Sequence, residues 1–111
     1  MAQRNFDQPT IAWAKSLGFI EIEKTEKLQR HSFNKNDMFG FADFIAIDSQ
    51  RTCLIQSTSY QNISTRIKKI VAIPAAKLWI QNPTRLILVI GFGPSKDKAI
   101  WLDESDFEEK K

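Results

Sequence analysis

Apolar residues recur along this chain at two spacings, one typical of helices and one typical of strands. In the segment 11–17 they fall on one side of a helix, for which Asp7 is the predicted N-cap,. A second helix is predicted over residues 62–73, where isoleucines recur every three or four positions, and a short helix or turn at 75–80 follows it,.

Five apolar-rich runs have the length of strands. Their bounds are 19–26, 39–48, 52–58, 84–92 and 98–102,. A short turn makes the second and third strands an antiparallel hairpin, whereas the helical crossover before the fourth strand requires a parallel pair. The predicted fold is α/β, with a central mixed α+β sheet flanked by helices in the order αβββαββ, and the polar segment 27–37 is predicted to be a loop.

The composition is that of one globular domain. The 111 residues are 42% hydrophobic and 26% charged, which excludes a wholly disordered chain,. No apolar run approaches the roughly 18–20 residues of a membrane span, and the first ten residues lack the apolar core of a secretory signal. One cysteine and one histidine count against disulfides and zinc,. We expect a single domain over residues 1–111, in the cytoplasm and not in a membrane.

Charge is distributed unevenly along the sequence. Residues 97–111, which include a predicted acidic tail at 103–111, hold six acidic and three basic side chains, whereas residues 1–96 hold thirteen basic and seven acidic ones. A basic body favours an anionic partner such as nucleic acid. Solvating charge scattered over the surface is the alternative.

Two neighbouring predicted strands each carry a polar residue among apolar ones. A turn at Ser49–Gln50 pairs residues whose numbers sum to about 99, which places Asp43 opposite Gln56,. A carboxylate and an amide oxygen side by side can hold Mg²⁺ or Mn²⁺. The alternative is that Asp43 forms hydrogen bonds with a nearby loop or neutralises an arginine such as Arg66.

These residues also carry a resemblance to a known family. The run Gly40-x-x-Asp43-Phe-Ile-Ala-Ile, a short turn, and Leu54-Ile55-Gln56-Ser57-Thr58 resemble the core of the PD-(D/E)xK nuclease superfamily. The pattern is similar to archaeal Holliday-junction resolvases and other restriction-endonuclease-like domains, and the αβββαβ order matches over roughly residues 10–92. The resemblance implies a restriction-endonuclease-like fold and metal-dependent hydrolysis of DNA.

The resemblance assigns roles to three residues and departs from the family at two of them. Asp43 matches the aspartate that binds the divalent metal. Gln56 stands where the family has glutamate, and Thr58 stands where it has lysine. That lysine positions the attacking water and stabilises negative charge on the phosphate, which threonine does not do. Either another lysine such as Lys69 replaces it, or catalysis is weak or lost.

Further acidic residues are candidates to complete the site. Many families of this type place a glutamate on the first helix or strand, and here Glu21 or Glu23 could serve as a metal ligand. Asp37 is a second candidate. The alternatives are a solvent-facing side of the strand for the two glutamates and a turn or cap role for Asp37.

The predicted second helix carries a basic side. Asn62, Arg66 and Lys69 recur at helical spacing beside its apolar stripe, and Tyr60 lies just before it,. These four residues are the predicted nucleic-acid contacts, with the tyrosine as a base-stacking residue. A solvated basic face is the alternative.

The function expected from the sequence is therefore a DNA-binding, PD-(D/E)xK-like nuclease that uses Mg²⁺ or Mn²⁺, with a degenerate site. The first alternative is a catalytically inactive nuclease-fold module that binds nucleic acid or a protein. The second is an interaction domain without nucleic acid, for example a homodimer formed through the edge of the last strand.

Overall fold

In a computed structural model of the protein, residues 6–25 and 38–107 are described, and they contain three α-helices and five β-strands. The elements are α1 (Asp7–Ser16), β1 (Glu21–Lys24), β2 (Phe44–Ile47), β3 (Thr52–Ser59), α2 (Ile63–Val71), α3 (Pro74–Ile80), β4 (Arg85–Phe92) and β5 (Asp97–Leu102). Two 3₁₀ turns, Tyr60–Asn62 and Glu104–Phe107, precede α2 and follow β5. The predicted loop at 27–37 lies outside the described residues.

The described strands form one mixed sheet in the order β1-β2-β3-β4-β5. The pair β3–β4 is parallel and the other three pairs are antiparallel. The parallel pair follows from the crossover through α2 and α3, because only a long connection returns the chain to the same end of the sheet. The predicted α+β architecture with a central mixed sheet is therefore confirmed.

Helices cover both faces of the sheet because β3 and β4 are apolar on both faces. One hydrophobic cluster packs α2 and α3 against one face of the sheet, which we call the α2/α3 face. A second cluster packs α1 against the opposite face, which we call the α1 face. Alternate residues of β3 enter different clusters: Leu54 faces α2 and α3, whereas Cys53 and Ile55 face α1,. Burial raises the pKa of the Cys53 thiol to about 12. This cysteine is therefore a protonated core residue.

The apolar stripe predicted for the second helix is the buried side of α2. Ile63 and Ile70 are buried, and Ile67 and Val71 pack against the same cluster from its edge. None of the helices in residues 6–25 and 38–107 has the length and hydrophobicity needed to cross a membrane.

The second strand is shorter than the predicted run 39–48. The chain reverses just before it, in a turn closed by a bridge between Met38 and Ala42. Phe39 and Gly40 have φ angles of 56° and 85°, a conformation that interrupts an extended strand,. The apolar residues of this turn still reach the core, since Phe41 and Ala42 are buried.

Two predictions near the start of the chain are wrong in detail. The N-cap of α1 is Phe6, and Asp7 lies inside the first turn, where a carboxylate interacts favourably with the helix dipole,. The first strand is shorter than the predicted run 19–26. Phe19 is buried before it begins, whereas Ile20 is 67% exposed.

Candidate nucleic-acid interface

The predicted pairing of Asp43 with Gln56 is present. The register of β2 and β3 pairs Phe44 with Ile55, so the preceding residue Asp43 lies opposite Gln56. The Gln56 Nε2 atom donates a hydrogen bond to Asp43 Oδ2 at 2.9 Å. The sequence therefore predicted this contact correctly.

Asp43 also completes the hydrogen bonding between the two strands. Its Oδ2 atom accepts the backbone N–H of Ser57 at 2.9 Å, and its own N–H donates to the Ile55 carbonyl at 2.8 Å. A carboxylate that accepts a backbone N–H and an amide N–H compensates for part of its desolvation. This explains how an ionisable residue is accommodated directly before the buried Phe44.

The orientation of the Gln56 amide matters for metal binding. The Nε2 atom donates to the backbone carbonyl of Ser57 at 3.0 Å as well as to Asp43. Because a carbonyl only accepts, the nitrogen and not the oxygen of the amide must face this pair of acceptors. Gln56 is buried, so its amide has little freedom to turn.

This donor set fits Mg²⁺ or Mn²⁺ poorly. Both metals prefer several oxygen ligands, whereas Gln56 presents its amide nitrogen, and not its oxygen, to the carboxylate,. Within residues 6–25 and 38–107, no group of three or more His, Cys, Asp or Glu side chains is placed to hold a metal ion. Asp37 lies outside the described residues.

The other residues predicted for the metal site have different environments. Thr58, at the position of the family lysine, is buried on the same face as Gln56 and pairs with Gly91 of β4. Glu21 and Glu23 are exposed on β1, in agreement with the alternative of a solvent-facing side. Glu23 pairs with Ile45, which places it diagonally across from Asp43, at roughly 7–8 Å for such neighbours,.

A polar contact on the opposite face was missed by the sequence analysis. The Ser57 hydroxyl lies 2.9 Å from the Thr10 hydroxyl, which joins β3 to α1. Next to it, Lys24 Nζ and Asp7 Oδ2 form an ion pair at 2.9 Å. The strand alternation that turns Gln56 toward α2 and α3 could have indicated that Ser57 turns toward α1.

The basic side of α2 lies at the surface. Asn62 is exposed in the 3₁₀ turn before the helix, Arg66 is partly exposed and Lys69 is exposed in the last turn. The ion pairs formed among the described residues are Lys24–Asp7 and Arg51–Asp48, so neither Arg66 nor Lys69 neutralises Asp43. The residues predicted to form a basic side thus lie at the surface of α2 and of the turn before it, and their role as nucleic-acid contacts stays a prediction.

More cations and an aromatic ring lie where the parallel strands end, a region that we call the β3/β4 end. Tyr60 directly follows β3, and the Lys96 ammonium lies 5.4 Å from the centre of its ring. Lys98 pairs with Gly91 of β4, and a side chain at Gly91 would collide with Ile63 of α2. Lys96 and Lys98 thus flank the start of α2, a contribution that the sequence analysis did not identify.

Comparisons with known proteins identify no relative of this chain. No family model matches the chain, and no curated protein or solved structure matches it significantly.

Proposed function

We propose that this domain binds DNA through the basic side of α2 and the adjoining β3/β4 end. The observation that carries the proposal is a set of cations at the surface: Lys69, Lys96 and Lys98 are exposed and Arg66 is partly exposed, with the Lys96 ammonium over the Tyr60 ring. Phosphate contacts from lysine and arginine supply most of the affinity of non-specific nucleic-acid binding. An adjacent aromatic ring adds a surface on which a base can stack.

The architecture supports a nuclease-like origin for the domain. The order of elements and the single parallel pair β3–β4 agree with the αβββαβ order of restriction-endonuclease-like domains, which the sequence resembles. On this proposal the domain keeps that fold and its DNA-binding surface, while Asp43 and Gln56 stabilise the β2–β3 hairpin.

The proposal favours binding over hydrolysis for two chemical reasons. The Gln56 Nε2 atom donates to Asp43 and to the Ser57 carbonyl, where a metal site needs a second oxygen ligand. Thr58 has no positive charge with which to stabilise the phosphate, and within residues 6–25 and 38–107 Lys69 forms no ion pair with Asp43,. Hydrolysis with Mg²⁺ or Mn²⁺ is the second candidate function, favoured by the contact between Asp43 and Gln56 at the family's metal positions.

Charge removal on α2 tests the binding surface. The double variant Arg66→Gln/Lys69→Gln should bind duplex DNA on the order of tenfold more weakly and should reduce the slope of log affinity against log salt by about 2. The measurement is fluorescence anisotropy of labelled DNA at several salt concentrations.

A matched variant controls for net charge. Lys15→Gln/Lys77→Gln also removes two positive charges, from exposed lysines on α1 and α3, and should leave the salt slope within about 0.5 of the wild-type value,. Equal losses of affinity in the two double variants would show that overall charge, and not the α2 surface, is responsible.

A cleavage assay separates the two candidate functions. Wild type and Asp43→Ala are incubated with linear, branched and single-stranded DNA in Mg²⁺ or Mn²⁺. The proposal expects no cleavage by either protein. Cleavage that requires both the metal and Asp43 would replace it with the nuclease assignment.

A further inference from the structure

A pocket of about 430 Å³ opens at the β3/β4 end, on the side away from the Asp43–Gln56 pair. Its volume lies in the range of about 300–1,000 Å³ typical of small-molecule sites. The residues that shape it come from three places in the chain: the residue before α1, the junction of β3 with its 3₁₀ turn, and the β4–β5 hairpin. They include Phe6, Ser59, Tyr60, Phe92 and Lys96.

The walls of the pocket are aromatic. Phe6 and Phe92 stack on each other with ring centres 5.0 Å apart and form one wall. Tyr60 belongs to another wall, and two glycines make room for it. A Cβ atom at Gly93 would lie 3.2 Å from Tyr60 Cβ, and one at Gly91 would lie 3.0 Å from Tyr60 Cα. The two glycines thus let the chain at Tyr60 pack closely against β4 and the hairpin, which sets the position from which its ring projects.

The ammonium group of Lys96 lies over the ring of Tyr60. Lys96 lies in the tight hairpin after β4, where the Gly93 N–H donates to the Lys96 carbonyl at 3.0 Å. From there the exposed side chain places its ammonium over the Tyr60 ring, 5.4 Å from the ring centre. A ligand that combines a planar ring with an anionic group would meet both features.

One polar group of the pocket lacks a partner. The Ser59 hydroxyl oxygen is buried and has no hydrogen-bond partner within the described part of the chain. An unsatisfied buried hydroxyl is costly, and native proteins retain few of them without a reason. A polar atom of a bound ligand would supply the missing hydrogen bond.

We infer that this pocket, the Tyr60 pocket, receives one unpaired nucleotide of the bound DNA, with its base against Tyr60 and its phosphate near Lys96. The inference rests on the proposed DNA binding and adds the class of substrate, namely DNA with an unpaired end. The base is recognised by stacking, which tolerates any sequence. The cations of the β3/β4 end hold the adjoining backbone.

The test compares two duplexes of the same sequence, one blunt and one with a single unpaired 2-aminopurine at a 3′ end. Anisotropy measures affinity in EDTA, and quenching of 2-aminopurine fluorescence reports stacking. Wild type should prefer the overhang by about tenfold and should quench its fluorescence. Tyr60→Ala should lose both effects, while Tyr60→Phe, which retains the ring, should keep them.

Two charge variants and a free nucleotide provide further tests of the Tyr60 pocket. Lys96→Gln should weaken binding of the overhang, while Lys77→Gln, on α3, should not. Free 2-aminopurine deoxyribonucleoside monophosphate should bind far more weakly than the overhang. Equal affinity of the free nucleotide would overturn the assignment to a DNA end.

The outcomes distinguish the two proposals. Equal wild-type affinity for both duplexes, or a preference that persists in Tyr60→Ala, would overturn the Tyr60 pocket and leave DNA binding in place. Failure of wild type to bind either duplex would overturn the proposed function itself. Thermal melting of each variant shows whether it is folded. If Tyr60→Ala does not fold, the comparison of wild type with Tyr60→Phe is used instead.

Discussion

At the scale of single residues, Asp43 shows how the same contact can serve chemistry or stability. Its Oδ2 atom accepts the Gln56 amide and the Ser57 backbone N–H at the point where β2 begins. A glutamate in place of Gln56 would bring two carboxylates together, which repel each other unless a cation lies between them. With glutamine the pair forms a hydrogen bond, which on the proposed function stabilises the β2–β3 hairpin.

Removal of the Asp43 carboxylate should therefore weaken the fold. Asp43→Ala deprives two N–H groups of their acceptor, so the free energy of unfolding should fall by about 1–3 kcal/mol. Denaturant titration measures this, and the exposed Glu21→Ala should change it by no more than about 0.5 kcal/mol. An Asp43→Ala protein as stable as wild type would contradict the structural role.

Whether a contact between these residues could be predicted depends on whether it follows from sequence spacing or from the direction of the backbone. The pairing of Asp43 with Gln56 follows from counting residues across a short hairpin. The orientation of the Gln56 amide does not, because it depends on the Ser57 carbonyl, whose direction is set by the strand backbone. The sequence therefore predicted which side chains meet, but not which atoms they present.

At the scale of elements, the β2–β3 turn is built around Asp48. The carboxylate accepts the backbone N–H groups of Gln50 and Arg51 and pairs with the Arg51 guanidinium at 2.8 Å. The hydrogen bond from the Gln50 backbone, and then that from the Arg51 side chain, hold the pKa of Asp48 below its usual value. The turn that sets the β2–β3 register is therefore sensitive to acid.

The sign of this dependence follows from the lowered pKa. The carboxylate stabilises the fold above the pKa of about 4 that it has in the unfolded chain, and the stabilisation is lost as pH falls toward the folded value. Wild type should be more stable than Asp48→Asn near pH 7, by a margin that shrinks below about pH 4. Urea titrations of both proteins at several pH values measure the margin, and a constant margin down to pH 2 would contradict this.

Element types were predicted more accurately than element boundaries. The strands β3 and β4 are long, apolar runs whose burial agrees with the pattern. The start of β2 was misplaced because the turn at Phe39–Gly40 is built from apolar residues, and apolar composition alone does not distinguish a buried strand from a buried turn. Positive φ at Phe39 has no signature in the sequence.

At the scale of the whole molecule, the two faces of the sheet carry different polar contacts. The α2/α3 face carries the Asp43–Gln56 pair, while on the α1 face Thr10 of α1 contacts Ser57 of β3. The β3/β4 end joins the two, since α2 begins there and the Tyr60 pocket opens there. The excess of basic residues over 1–96 was visible in the sequence, but the approach of Lys96 to Tyr60 at this end required the fold.

The Tyr60 pocket could not be predicted from the sequence. Phe6, Tyr60 and Lys96 are far apart in the chain, and only the packing of α1 and the β4–β5 hairpin brings them together. The sequence singled out Tyr60 for stacking but offered no reason to pair it with Lys96. A side-chain arrangement of this kind depends on tertiary contacts that no local pattern encodes.

The most direct test of the account is whether the wild-type protein binds DNA without a divalent metal. Labelled duplex DNA is titrated with the full chain in EDTA at several salt concentrations, and anisotropy is recorded. Binding is expected in EDTA, with log affinity falling linearly against log salt at a slope of about −3 to −4 for the four cations of the proposed surface. Absence of binding in EDTA, or binding that appears only with Mg²⁺ or Mn²⁺ and ends in cleavage, would contradict it.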